Sequence, residues 1–239
     1  MGPQPAEHVV LVIGTGSSKK MVVMVSATIA DARTTILVLP MVVLRVDILR
    51  RFHEVGIRPL IWTVDCKQSA LLVIVSAEAA CTQSFLEYDC HIQVSKQKLD
   101  RIVNDESHLT ITASDYRPCM AQLGWYVRQF RSQTVWLPAT LPSVMQEEFI
   151  QYDKLVKPRV IWESTNRPTI KYMVSLETGP GALVERVAVV QAYWPRQEIF
   201  DHSRDKIIIY CRTREWLSNR DQPVIVATSA LGLGFEYPD

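Results

Sequence analysis

An α/β fold is what this sequence predicts, and three observations predict it. Short runs rich in apolar and β-branched residues, Val9 to Ile13, Thr35 to Leu39, Leu71 to Val75 and Leu99 to Val103, read as buried strands, the last with Asp100 and Arg101 inside it. Stretches of helical character lie between them. The residues able to do chemistry follow directly after strands, where α/β sheets bind ligands beyond the strands' carboxyl edge. With 239 residues, 48% hydrophobic and 21% charged, the chain has core material for one large or two small domains.

Taken in order, the run Val9 to Ile13 leads at once into GTGSSKK, residues 14–20, and then into MVVMVSATIA, which reads as a helix. Strand, Gly-rich loop, lysine and helix is the order of a phosphate-binding loop. Backbone N–H groups and the helix N-terminus face the phosphates, and a lysine adds a point charge. Thr15, Gly16, Ser17, Ser18, Lys19 and Lys20 are therefore candidate phosphate ligands. The other reading is a Gly/Ser turn with two solvated lysines. Thr35 to Leu39 is closed by Pro40, and residues 42–56 then carry apolar side chains at helical spacing up to Gly56, a C-terminal stop. Arg45, Arg50 and Arg51 read as surface charges, with contact to a phosphate backbone as the alternative for Arg45. Pro59 to Trp62 and Leu71 to Val75 are further short strands, and residues 83–98 form a polar helix.

The stretch from residue 99 to 118 carries most of the chemistry. The run Leu99 to Val103, read as a buried strand on its Leu, Ile and Val, is followed by Asp105 and Glu106, with His108 two residues on. One carboxylate at such a strand end can hold Mg²⁺, and its neighbour can orient or deprotonate a nucleophilic water. A solvated strand end is the alternative. Tyr116, Arg117 and Pro118 form an aromatic-basic turn before a helix that starts near Met120. A tyrosine beside an arginine suits stacking on an unpaired base and binding its phosphate, and it equally suits a packed loop. Residues 134–142 read as a strand leaving into a small-residue turn. Residues 143–152 read as a short helix with Ser143 as its N-cap.

The pattern changes near residue 163, where a polar linker precedes a strand within residues 166–174, and the domain boundary is placed there, giving 1–162 and 163–239. Residues 182–194 are helical in pattern, and KIIIYC (206–211) and PVIVAT (223–228) are strands. Parallel neighbours need a crossover of about a dozen residues or more, usually with a helix. Little room for one lies between these two, so the second domain reads as internally shortened.

Composition excludes several classes. Net charge is +1, so no global field draws the chain to nucleic acid or membrane, and polyanion binding must come from a local groove. The five cysteines form no CxxC pair, which argues against a zinc site or a disulfide framework. No apolar run reaches the roughly 18 residues of a membrane span. The first residues lack the basic start and long apolar core of a signal peptide, so an intracellular protein is expected.

The order of these pieces resembles the superfamily 2 helicases, and among them the RecQ-like DNA helicases, with wording similar to the telomere-linked RecQ-like genes of fungi. Residues 14–20 resemble motif I, and residues 36–47 motif Ia. DESH (105–108) matches the DExH box of motif II, and DYRP (115–118) matches the end of the aromatic-rich loop that follows it. PAT (138–140) resembles motif III, and NRPTIKYMV (166–174) the entry to a second RecA-like domain. IIIYCRTR (207–214) and VATSALGLGFEYP (226–238) resemble motifs IV and V. The departures are specific. Ser18 stands where motif I has its second glycine, and Lys20 where it has a Ser or Thr that binds Mg²⁺. The glutamine segment upstream of motif I, the arginine fingers of motif VI and the zinc-binding and winged-helix regions have no counterpart.

The resemblance implies a RecA-like P-loop NTPase domain with a parallel sheet, followed by an incomplete second RecA-like domain. It implies an enzyme with ATP and Mg²⁺ as cofactors, DNA as partner and the nucleus as location, whose activity is ATP-dependent 3′-to-5′ unwinding. Lys19 would hold the β and γ phosphates, Asp105 the Mg²⁺, and Glu106 the attacking water. His108 and Thr140 would couple nucleotide to DNA, and Arg45, Tyr116 and Arg117 would contact single-stranded DNA. An arginine finger is worth about 10³ to 10⁵ in rate, so very low turnover is expected. A nucleotide- or DNA-binding module without turnover, and an unstable product of a decayed gene copy, are the other readings.

Overall fold

The computed structural model describes residues 8–14, 19–29, 31–40, 45–94, 99–130, 132–163, 207–210 and 224–227. The chain divides into two compact units, residues 1–166 and 167–239. The first unit is built on seven strands: β1 (His8–Val12), β2 (Thr34–Leu39), β3 (Leu60–Ile61), β4 (Leu72–Ser76), β5 (Leu99–Asp105), β6 (Gln133–Leu137) and β7 (Arg159–Trp162). Every pairing is parallel, in the order β3-β4-β2-β5-β6-β1-β7. The helices are α1 (Lys19–Thr28), α2 (Arg45–Glu54), α3 (Ala77–Ala80), α4 (Gln83–Val94), α5 (Leu109–Thr112), α6 (Pro118–Gln129) and α7 (Gln146–Tyr152). The α/β class with a parallel sheet is as expected.

β2 lies at the centre of the sheet, and all six of its residues are buried. That is why Ile36 to Leu39, after the buried Thr34 and Thr35, read as an apolar run rather than an alternation. Val23 and Ala27 of α1 and Ile48 and Phe52 of α2 pack on one face, against Leu37, Leu39, Val103, Val135 and Leu137. Alternate strand residues point the other way. There Trp136 meets Phe149 of α7 edge-on at 6.0 Å, and Phe85 of α4 meets Trp62 at 4.9 Å.

Several boundaries differ from expectation. β5 runs on through Asn104 to Asp105, so Asp105 is a strand residue and Glu106 opens the turn. α6 starts at Pro118, because a proline in the first turn has no N–H to leave unpaired. Ser143 is not a helix cap: it opens a 3-10 turn over Ser143–Met145, and Met145 stands at the N-cap of α7. Residues 109–112, Leu-Thr-Ile-Thr, carry β-branched side chains but form α5, in which the Thr110 and Thr112 hydroxyls donate to the carbonyls of Ser107 and His108. β7 has no sequence expectation behind it. It is four residues long, mostly exposed, and pairs only with β1 among the described residues. α2 ends as expected, with Gly56 in the left-handed region at φ 77°.

In the second unit, β8 (Ile207–Tyr210) and β9 (Val224–Ala227) pair in parallel, from Ile207 opposite Val224 to Tyr210 opposite Ala227. Their connection, the expected strand at 166–174, the helix at 182–194 and the motif V segment beyond β9 lie outside the described residues. Among the described residues, no helix is long and apolar enough to cross a membrane.

Candidate functional site

The pleat puts Asp105 on the same face as Val103, the face covered by α1 and α2. It lines a cleft with Lys19, Lys20, Val23, Leu37, Ile48, Phe52 and Leu137. Burial, and next the Glu106 carboxylate, push the Asp105 carboxyl up to about 6. Lys19, the first residue of α1, is buried at 7% exposure, and its Nζ donates to Glu106 Oε1 at 3.2 Å. Glu106 has a left-handed backbone, φ 47°, and its N–H donates to Asp105 Oδ1 at 3.0 Å. A non-glycine residue held there costs about 1–3 kcal/mol and persists only where its surroundings enforce it. The turn is tied down by Ser107 N–H, which donates to Leu137 O at 3.4 Å.

His108 Nδ1 lies 3.6 Å from Glu106 Oε2. Burial first, and then Lys19, push its imidazole down to about 4, so it is neutral at pH 7 and the contact is not an ion pair. Its buried Nδ1 has no hydrogen-bond partner among the described residues.

Lys20 also lines the cleft, and its Nζ donates to Asp47 Oδ2 on α2 at 3.1 Å. Asp47 is shared: Arg51 Nε donates to Oδ2 at 3.0 Å and Arg50 Nη2 to Oδ1 at 2.9 Å. Burial raises the Asp47 carboxyl, but Arg50 and Lys20 together hold it below its usual range.

Behind the turn, on α5, Thr110 Oγ1 and Asp153 Oδ2 lie at hydrogen-bond distance, 2.8 Å apart. Asp153 is 2% exposed, and burial pushes its carboxyl up to about 7 against the Thr110 bond and the Arg128 charge.

The structure thus brings Lys19, Lys20, Asp105, Glu106 and His108 together. Thr15, Gly16, Ser17 and Ser18 lie outside the described residues. Thr140 is exposed, three residues beyond Leu137. Arg45 lines a second cleft with Leu39, Trp62 and Ser76 at the carboxyl edge of β2 and β4. Tyr116 is 68% exposed. Arg117 is not a free cation: its Nη2 donates to Pro40 O and to the Glu78 carboxylate, joining the turn before α6 to the end of β2 and to α3. Sequence reasoning missed Asp47 and Glu78. Asp47 precedes Arg50 and Arg51 by three and four residues on a helix, which is a readable pairing signal. Glu78 follows a strand end, as Glu106 does.

No protein-family profile matches the chain. The RecQ-like DNA helicase BLM of Xenopus laevis is 26% identical over 204 residues, covering 70% of this chain and 14% of that protein. Among solved structures, the DUF1998 helicase MrfA bound to DNA and AMPPNP has a TM-score of 0.57 at 15% identity, over 87% of this chain and 32% of that one. The Mycobacterium smegmatis helicase Lhr bound to ssDNA and AMP-PNP has a TM-score of 0.55 at 14% identity, over 94% of this chain and 38% of that one. The chain is therefore related in sequence to a RecQ-like DNA helicase over a small part of that protein, and it has the α/β fold of helicase RecA-like domains.

Proposed function

We propose that this chain is a RecQ-type helicase module that binds ATP and single-stranded DNA, with impaired turnover. The ATP-binding domain would comprise residues 1–162, residues 163–239 would be part of a second RecA-like domain, and the module would act in the nucleus. The observation that carries the reading is the Lys19–Glu106 pair at 3.2 Å beside Asp105, at the carboxyl end of a parallel sheet. A nucleotide's phosphates would draw the Lys19 ammonium off Glu106, leaving that carboxylate free to orient a water. His108 touches the same carboxylate and would report its state, and Thr140 follows the strand on which the turn is pinned. Tyr116 would offer its ring to an unpaired base, with Arg117 holding the turn in place and Arg45 lining the neighbouring cleft. The direction of travel, 3′ to 5′, is that of the RecQ type.

Mg²⁺ fits this donor set poorly. Asp105 lines the cleft with no salt bridge among the described residues and faces two ammonium groups, while Glu106 is committed to Lys19. Loss of the metal ligand at Lys20 is the basis for proposing impaired turnover.

The reading is tested by binding. Lys19→Ala is expected to weaken a fluorescent ATP analogue by about tenfold or more, as loss of a charge-assisted contact does. Tyr116→Ala is expected to cost about 1–3 kcal/mol of single-strand affinity in an anisotropy titration at low salt. Unchanged affinities in both variants would sink the reading, and DNA-stimulated phosphate release as fast as an intact relative's would remove the impairment.

A further inference from the structure

Most features outside the nucleotide cleft are structural pairings, but Lys20 is placed for more. In a phosphate-binding loop of this kind, the residue after the invariant lysine is a Ser or Thr whose hydroxyl holds Mg²⁺ against the phosphates. Here that residue is a lysine, and its side chain lines the same cleft as Lys19 and Asp105. A divalent cation beside the ammonium would meet like charge in a partly dry site.

The partner of Lys20 is arranged so that it can leave. Its Nζ rests on Asp47 Oδ2, but Arg51 already bonds that oxygen and Arg50 bonds Oδ1. Asp47 therefore stays paired when Lys20 lets go. The pair is itself about one-third exposed on both sides, so it is weak and yields to a stronger anion. A lysine is a compact charge on a four-carbon stem with three donors, suited to following a phosphate oxygen.

We propose that Lys20 takes the place of the divalent cation, so that this cleft binds the polyphosphate of a nucleoside triphosphate without metal. Lys19 and Lys20 would clamp the phosphates from one helix end, with Lys20 released from Asp47. The proposal rests on the reading of the cleft as a nucleotide site.

The test titrates a fluorescent ATP analogue into the full chain in Mg²⁺ and in EDTA. Wild type is expected to bind with dissociation constants within about twofold in the two buffers, because the tethered charge replaces the free one. Lys20→Ser, and Lys20→Gln as a variant of similar length, are expected to lose about tenfold or more in EDTA. Mg²⁺ is expected to restore the serine variant. A wild-type affinity that falls about tenfold in EDTA would overturn the proposal while leaving a nucleotide site in place. Affinity unchanged by Lys19→Ala in both buffers would instead place the probe elsewhere, and both readings would fall.

Discussion

Asn104 is fully buried, and neither the nitrogen nor the oxygen of its side-chain amide has a hydrogen-bond partner among the described residues. It lies one residue before Asp105, on the sheet face it shares with Ile102 and Trp136. An amide donor or acceptor stranded in an apolar layer costs about 1–3 kcal/mol. Leucine has nearly the same shape and no polar atom. Asn104→Leu is therefore expected to raise the unfolding free energy by about 1–3 kcal/mol, read as a higher urea midpoint. An unchanged or lower midpoint would mean that the amide is satisfied in solution. Nothing in the run Leu99 to Val103 announces this defect, because whether a buried amide finds a partner is decided by side chains far away in sequence. Glu106 is a similar case: its carboxylate was legible as chemistry, but its left-handed backbone was not.

At the scale of elements, α6 carries a glycine in its interior, at Gly124, where alanine would favour the helix by up to about 1 kcal/mol. The glycine is there for space. A Cβ would stand 2.7 Å from Asp153 Oδ1 and 3.2 Å from Asp153 Cα, and the backbone atom cannot swing aside. Gly124→Ala is expected to destabilise the unit by a net of about 1–3 kcal/mol through overpacking, measured by thermal or urea denaturation. A gain in melting temperature would show that α7 shifts freely. The long strands and α1, α2 and α6 were legible because periodicity and strand-end chemistry are local properties. β7 was not, since a four-residue exposed edge has no apolar run to read. The cluster of Lys19, Lys20, Asp105, Glu106 and His108 was legible because its residues sit at the start of α1, the helix after β1, and at or just after the end of β5. Glu78 and Asp153 were not, because their partners Arg117 and Thr110 lie 39 and 43 residues away; the helical pairing of Asp47 was readable, but its contact with Lys20, 27 residues away, was not.

At the scale of the whole molecule, three buried groups couple folding to pH. Burial raises Asp153 to about 7 and Asp105 to about 6, so in each the folded state holds its proton at a pH where the unfolded chain has released it. These contributions to stability are largest at low pH and are lost as pH rises from the usual carboxylate range, about 4, through 6 to 7. His108 has the opposite sign. Its folded value is lowered to about 4, so the stability it contributes grows as pH rises from there to its unfolded value of about 6.5. Two groups outweigh one, and above pH 6 Asp153 dominates. The urea midpoint of the wild type is expected to fall between pH 5 and pH 8, and Asp153→Asn is expected to flatten that fall. Parallel wild-type and variant curves would remove Asp153 from the linkage.

The margin of the sheet at β7 bears on how the protein behaves in solution. Ile161 and Trp162 are each 42% exposed, on a strand that ends the sheet order. A strand edge that carries apolar side chains and has no neighbour among the described residues is a template for another chain. Here the approach to that edge is set by Lys157, Pro158 and Arg159, two cations around a residue that cannot donate to a ladder. Charge is a guard that salt weakens, since the screening length falls from about 10 Å at 0.1 M to about 3 Å at 1 M. Solubility at this margin is thus partly an electrostatic property of Lys157 and Arg159, and the ionic strength of the medium sets how well they keep copies apart.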